Sequence, residues 1–176
     1  MTPVGHTLTG LAIGYAVMPF RFSPRAKAAT LGVFAILAFA PDLPLPSWGH
    51  DRYDISHSVF VTTLGVLLVG VAAYAKLRGS PYMSWPLLVG GAVAWYSHLL
   101  LDTFYNHGKG LHIFWPFGDG RVALPIPWFS KMNLDPLLTM HNFRVWTIEA
   151  VAYGFVLGAV VIVRRFADNR SLAKPN

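Results

Sequence analysis

Five apolar stretches, none holding a basic residue, govern what this chain can fold into: Val4 to Phe20, Ala28 to Ala40, Val59 to Ala75, Pro86 to Leu101 and Val145 to Val163. Runs this uniformly apolar predict helices that must be covered by other helices or by lipid. Several fall short of the ~20 residues that cross a bilayer core comfortably. Ala28 to Ala40 is the shortest, so flanking residues, a tilted neighbour or a locally thinned bilayer has to extend it. Charged residues make up 12% of the 176, about half the ~25% of a soluble domain, and the mean hydropathy is +0.46. The expectation is one all-α domain, residues 1–176, built as a polytopic membrane bundle of about five transmembrane helices. The alternative on composition is a very apolar soluble bundle.

The connections between the stretches are asymmetric in charge. Arg21, Arg25 and Lys27 follow the first, Lys76 and Arg78 the third, and Arg164, Arg165, Arg170 and Lys174 the fifth, with Asp168 the one acid among them. Basic connections stay in the cytoplasm, which predicts an N-terminus outside and a C-terminus inside, and alternation of five helices agrees. No positive charge precedes the first stretch, so it reads as a reverse-oriented first helix rather than a cleaved signal peptide. The Gly-, Pro- and aromatic-rich segment from Tyr105 to Phe143 is far longer than an ordinary connection and predicts a folded non-cytoplasmic cap or binding loop. Trp115, Trp128 and Phe129 there suit a membrane interface. The basic isoelectric balance follows from this topology; no nucleic-acid-binding pattern accompanies it, and no nucleic-acid partner is expected.

With this topology the ionisable residues gather on one side. His6 opens the first helix, and Asp42 in "APDLP" follows the second. His50, Asp54 and His57 precede the third, His98 and Asp102 close the fourth, and His107 and His112 follow it. His141 precedes the fifth helix and Glu149 lies just inside it. Sequence-distant elements that deliver imidazoles and carboxylates to one level of a bundle are what a metal site in a helical protein requires. The strongest local element is His98-x-x-x-Asp102, whose i and i+4 side chains share a helix face. Taken singly each has a structural explanation: Asp42 as a helix stop, His57 with Ser58 as a helix start, His6 as an interfacial histidine. Glu149 differs, because an acid inside an apolar helix needs a partner or a function. His107, His141, Asp51 and Asp119 read as loop surface; His50 and His112 are left open as ligands.

The chain has no cysteine, so disulfides, thiolate zinc sites and iron–sulfur clusters are excluded and any metal sits among nitrogen and oxygen donors. Such a set suits Zn²⁺, with Mn²⁺ or Fe²⁺ as alternatives. Nucleophile elbows, P-loops, dinucleotide fingerprints and HExxH are all missing. Metal-activated water is then the simplest hydrolytic chemistry, with Asp42 as general base if it is not itself a ligand. Ser58 and Ser97 adjoin the candidate ligands and are expected to hydrogen-bond to them.

Taken together, "GH" at Gly5 and His6, "PD" at Pro41 and Asp42, "HS" at His57 and Ser58, "YSHLLLD" from Tyr96 to Asp102 and "WP" at Trp115 and Pro116 resemble, in order, the YdjM-type family of bacterial inner-membrane metal-dependent hydrolases. That family is also labelled LexA-binding and is grouped with zinc-dependent phospholipase C and P1 nuclease, helical enzymes that hold several zinc ions. The resemblance implies ligand roles for His6, His57, His98 and Asp102, a ligand or base role for Asp42, and a role for Glu149 at the start of the last helix. It also departs from the pattern. A compact "HRGxTHS" is here "HDRYDISHS", with Ser56 in place of Thr and His50 further from His57, and the HxxxE helix element of the phospholipases is missing.

The expected function is therefore membrane-bound, metal-dependent hydrolysis of a phosphoester or lipid at the non-cytoplasmic face, with one to three zinc ions and the membrane lipid as neighbour. A metal or proton transporter is the first competitor. It requires polar residues through the whole bilayer depth, whereas the inner halves of the second and third helices are apolar. A scaffold for a cytoplasmic regulator is the second; the short basic connections offer no evident module for it.

Overall fold

A computed structural model describes residues 1–43, 53–80, 82–105 and 110–172, the side chains of 53, 54 and 168–172 excepted. His50, Asp51, Arg52, His107 and Lys174 lie outside the described residues, as do the side chains of Asp54, Asp168 and Arg170. The described chain is all-helical, with five long helices and one short one. These are α1 (Pro3–Val17), α2 (Pro24–Phe39), α3 (Tyr53–Ser56), α4 (Val59–Leu77), α5 (Trp85–Asp102) and α6 (Met140–Leu172), with a 3₁₀ turn, Ala40–Asp42, closing α2.

Each apolar stretch became one long helix, but polar residues set the ends. The Ser23 side chain accepts from the Ala26 N–H and Pro24 occupies the first helical position, so α2 starts four residues before the apolar run. Arg25 and Lys27 therefore lie in its first turns rather than in a connection. At α6 the Thr139 hydroxyl accepts from the Asn142 N–H, and the helix opens at Met140, five residues ahead of Val145 and with His141 inside it. Membrane length is more restricted than the sequence suggests. Val59–Leu77 and Met140–Ala167 are long and apolar enough to cross a bilayer by length and composition, while α1 and α2, at 15 and 16 residues, rise only about 22–24 Å. The findings thus support two candidate spans, not the five expected.

Successive long helices run in opposite directions. Glu149 of α6 meets Thr2 and Gly5 at one end of α1, while the Arg164 guanidinium donates to the Met18 carbonyl and stacks on Phe20 at the other. Backbone approach is closest where α1 crosses α2. A methyl group added to Gly10 would sit 2.4 Å from the Phe34 carbonyl oxygen and 2.9 Å from the Ala38 Cβ, so only glycine permits that crossing. Phe34, Ala38 and Ala94 form the buried apolar core there, against Ile13, Val17, Leu37 and Leu87. α4 leans on α5 and makes no substantial contact with α2.

Polarity is inverted relative to a soluble domain. His6, His57, His98, Asp102, Asn142 and Glu149 are wholly buried, whereas Leu64, Leu67, Leu68 and Val71 of α4 and Val151, Phe155 and Val163 of α6 are exposed. Contiguous apolar surface around a polar interior is what a lipid-facing bundle presents. The segment after α5 folds back over one end of the bundle. Leu124 and Ile126 donate to the carbonyls of Thr103 and Phe104, Leu111 pairs with Val122, and Val59 donates to the Ile113 carbonyl. Phe129 is seated between Tyr105 and Tyr153, while Trp128 is exposed.

Candidate metal centre

The end of the bundle under that segment is where α1 starts, α2 and α5 stop and α4 starts, and each contributes an ionisable side chain. Pro41 ends α2 in a 3₁₀ turn whose third residue is Asp42. The Ser58 hydroxyl accepts from the Phe60 N–H and starts α4, fixing His57 just before it. His98 and Asp102 occupy the last turn of α5, with His98 Nε2 3.6 Å from Asp102 Oδ2. His6 enters from the first turn of α1, its ring stacked on that of His98 at 3.7 Å between centroids.

The donor atoms divide between the two carboxylates. Asp42 Oδ1 lies 3.5 Å from the Nε2 atoms of both His57 and His98, and Asp102 Oδ2 lies 3.3 and 3.6 Å from the same two atoms. The other oxygens face His6: its Nε2 is 3.3 Å from Asp102 Oδ1 and 3.9 Å from Asp42 Oδ2. Ligand atoms of Asp42, His57, His98 and Asp102 all lie within 4.8 Å of one another, a group that could hold a metal ion. Asp102 Oδ1 also accepts from the Met1 ammonium at 2.6 Å.

Hydrogen bonds behind the rings set which nitrogen faces inward. His98 Nδ1 donates to the Ala38 carbonyl at 2.9 Å, one of the carbonyls left over at the end of α2. His57 Nδ1 is 3.0 Å from the Ser56 hydroxyl. Both rings therefore present Nε2 to the cluster, and the two Nε2 atoms stand 3.0 Å apart. Two lone pairs facing each other need a proton or a cation between them. Among the described residues buried His6 has no hydrogen-bond partner at Nδ1, and its Nε2 meets only the carboxylates of Asp102 and Asp42. Three imidazoles and two carboxylates, mostly buried, without thiols and with their Nε2 atoms converging, fit a divalent metal.

Charge on the residues outside the helices follows from the same contacts. Burial raises the Asp42 carboxyl, but the hydrogen bonds from His57 and His98 outweigh it and hold the group well below the usual carboxylate range. Burial likewise works to lower His57, and the bonds to Asp102 and Asp42 overcome it, lifting the imidazole to about 9. Asp42, 17% exposed against 0% for the other four, is the member open to the outside.

Two candidates stand elsewhere. Glu149 points at the N-terminus of α1: its oxygens accept from the Thr2 N–H, the Thr2 hydroxyl at 2.6 Å and the Gly5 N–H at 2.9 Å. A Cβ on residue 5 would come within 2.7 Å of that carboxylate, which gives the glycine of "GH" its reason. His112 Nε2 donates to the Gly118 carbonyl at 2.8 Å, with Asp119 3.7 Å away, and so shapes the covering loop. The serine expectation was misplaced. Ser58 Oγ donates to the Trp115 carbonyl and Ser97 Oγ to the Ala94 carbonyl. Ser56 and the Ala38 carbonyl hold the rings instead. Ser56 was visible in "DISHS"; the carbonyl bears no sequence signal beyond its place at the end of α2.

Compared with known proteins, the chain matches the family described as YdjM inner membrane protein over residues 1–171. No curated protein and no solved structure matches it. The family read from the ordered motifs is thereby shown as that of an inner membrane protein.

Proposed function

The chain belongs to the YdjM inner membrane protein family, and from that premise we propose that it is a multi-pass hydrolase of the inner membrane. Its centre takes one or two divalent ions, Zn²⁺ first among them, and acts on a phosphoester or lipid substrate from the non-cytoplasmic side. The observation that carries this reading is the division of the carboxylates, one oxygen of each toward His57 and His98 and the other toward His6. Two-sided carboxylates suit a pair of ions, with His57, His98, Asp42 and Asp102 as a four-donor set and His6 with the same two carboxylates as a more open one. A divalent ion there supplies Lewis-acid polarisation of a phosphoryl or acyl oxygen and lowers the pKa of water.

The chain's own residues do the rest. His57 and His98 are held by Ser56 and Ala38 so that only Nε2 meets the site. Asp102, wholly buried at the end of α5, balances cationic charge where water cannot. Asp42, the ligand open to the outside, stands where substrate enters and would orient the attacking water, whose proton passes to solvent. Among the described residues no second cluster of His, Asp or Glu lies deeper in the bundle, which supports hydrolysis over transport. Below the cluster the described core is Phe34, Ala38 and Ala94, which offers no relay to the other end.

Purified protein in neutral detergent with Zn²⁺ or Mn²⁺ is expected to hydrolyse bis-p-nitrophenyl phosphate or a fluorogenic phospholipid. Asp42→Asn, which weakens both donor sets, should lower kcat at least 100-fold. No turnover of phosphodiester, phosphomonoester or ester lipid with either metal contradicts the hydrolytic reading.

A further inference from the structure

Because α4 leans on α5 but stands off α2, a cavity of about 330 Å³ opens between the three helices. Val33, Leu37, Val66, Val69, Leu87 and Trp95 are among its lining residues. Such a space inside a membrane fills with apolar matter, since nothing in its walls repays water. Along α2 the lining runs from Ala26 to Leu37, a rise of about 16 Å, the scale of an extended acyl chain.

The two ends of this groove differ. Toward the metal-capable cluster its lining ends at Leu37, Val66 and Trp95. At the far end the lining includes Ala26 and Leu77, and in sequence these are flanked by Arg25, Lys27, Lys76 and Arg78. Arg25, Lys76 and Arg78 are exposed and Lys27 is half-buried. No acidic residue occurs from 21 to 41 or from 55 to 101, so the two segments that flank this end carry the four cations with no acid of their own. Thr30 and Tyr82, also in the lining near that end, bring hydroxyls just inside the charged rim.

We propose that this groove and its basic mouth bind an anionic phospholipid, one acyl chain lying between α2 and α4 and the phosphate headgroup held by Arg25, Lys27, Lys76 and Arg78. Basic pockets between helices on the positively charged side of a membrane protein recognise anionic headgroups in this way. The guanidinium fork suits a phosphate oxygen pair, and Thr30 and Tyr82 add hydroxyl-bearing side chains to the lining. Charge complementarity decides between occupants: a helix from a second copy would fill the apolar groove but leave four cations unanswered. The headgroup end is opposite the His/Asp cluster, so the lipid is not the substrate of that site, and the inference stands whether or not hydrolysis does.

Native mass spectrometry of the full chain in neutral detergent tests this, with palmitoyl-oleoyl phosphatidylglycerol and phosphatidylcholine, which share acyl chains, as probes. The wild type is expected to bind one phosphatidylglycerol at least tenfold more tightly than phosphatidylcholine. The Lys76→Gln/Arg78→Gln pair, at exposed positions, should abolish most of that preference. Gly70→Trp, whose Cβ meets nothing within 4 Å and whose ring enters the groove, should weaken both lipids. Unchanged helicity by circular dichroism separates these losses from unfolding. Equal affinity for the two lipids in the wild type overturns the proposal. So does preference retained in the charge variant, displacement of the lipid by equimolar inorganic phosphate, or a protein dimer in place of the lipid complex that Gly70→Trp dissolves.

Discussion

His57 and Asp42 carry opposite electrostatic demands within one hydrogen-bonded contact. The imidazole, lifted to about 9 by the carboxylates of Asp102 and Asp42, is protonated at neutral pH when no metal is bound. An imidazole ligand must be neutral, so metal and proton compete for Nε2. Below about pH 9 the proton wins ground and affinity falls, by up to about tenfold per pH unit. Asp42 is held well below the usual carboxylate range and adds nothing in that window. Zn²⁺ affinity measured by competition with a calibrated chelator should therefore rise by about 10- to 100-fold from pH 7 to pH 9. A flat profile would show that His57 is not a ligand. At this scale the sequence made the five cluster residues legible, because each sits at an end of an apolar stretch on one side of the chain. The direction of a side chain was not legible: Ser58 and Ser97 are adjacent to ligands yet bond to the carbonyls of Trp115 and Ala94.

Among the helices, α1 depends most on a residue far from it in sequence. Glu149 of α6 takes up the Thr2 and Gly5 N–H groups and the Thr2 hydroxyl, orphan donors of a helix N-terminus that a carboxylate satisfies well. His6 is the next residue along, so the α6 carboxylate fixes the imidazole's position without touching it. Glu149→Gln puts an amide donor against those donors and should cost about 2 kcal/mol, a fall of roughly 5 °C in melting temperature. It should also weaken Zn²⁺ binding while leaving the His57–His98 donor set able to hold one ion. Complete loss of metal in that variant would instead make Glu149 a ligand. That Glu149 needs a partner followed from its place in an apolar helix; that the partner is the start of α1 did not, because it takes the parallel packing of α1 and α6 to bring residues 2 and 149 together. Helix bounds were likewise only partly legible, since Ser23 and Thr139 extend α2 and α6 through polar residues that hydropathy ignores.

For the molecule as a whole, the inner-membrane family assignment and the exposed apolar faces of α4 and α6 agree with the low charge of the chain. Composition therefore conveyed the environment early, while the number of spans was obscured because α1 and α2 are short enough to be sheltered by their neighbours. The sidedness in our proposal is open to direct test on a background free of cysteine. In cells with a permeabilised outer membrane, a membrane-impermeant maleimide should label Asp119→Cys, in the covering loop, and leave Arg78→Cys, at the basic end, unlabelled until the inner membrane is breached. The reverse pattern would place the His/Asp cluster, and any substrate it takes, on the cytoplasmic side.

The central claim is that Asp42, His57, His98 and Asp102, joined by His6, hold metal, and elemental analysis of protein purified without chelators tests it most directly. The wild type should retain between one and two equivalents of a divalent transition metal, and Asp102→Asn, which removes charge from both donor sets, should retain less than about a quarter of that at unchanged helicity. A wild type carrying less than about 0.2 equivalents, or an Asp102→Asn variant as fully loaded as the wild type, would contradict it.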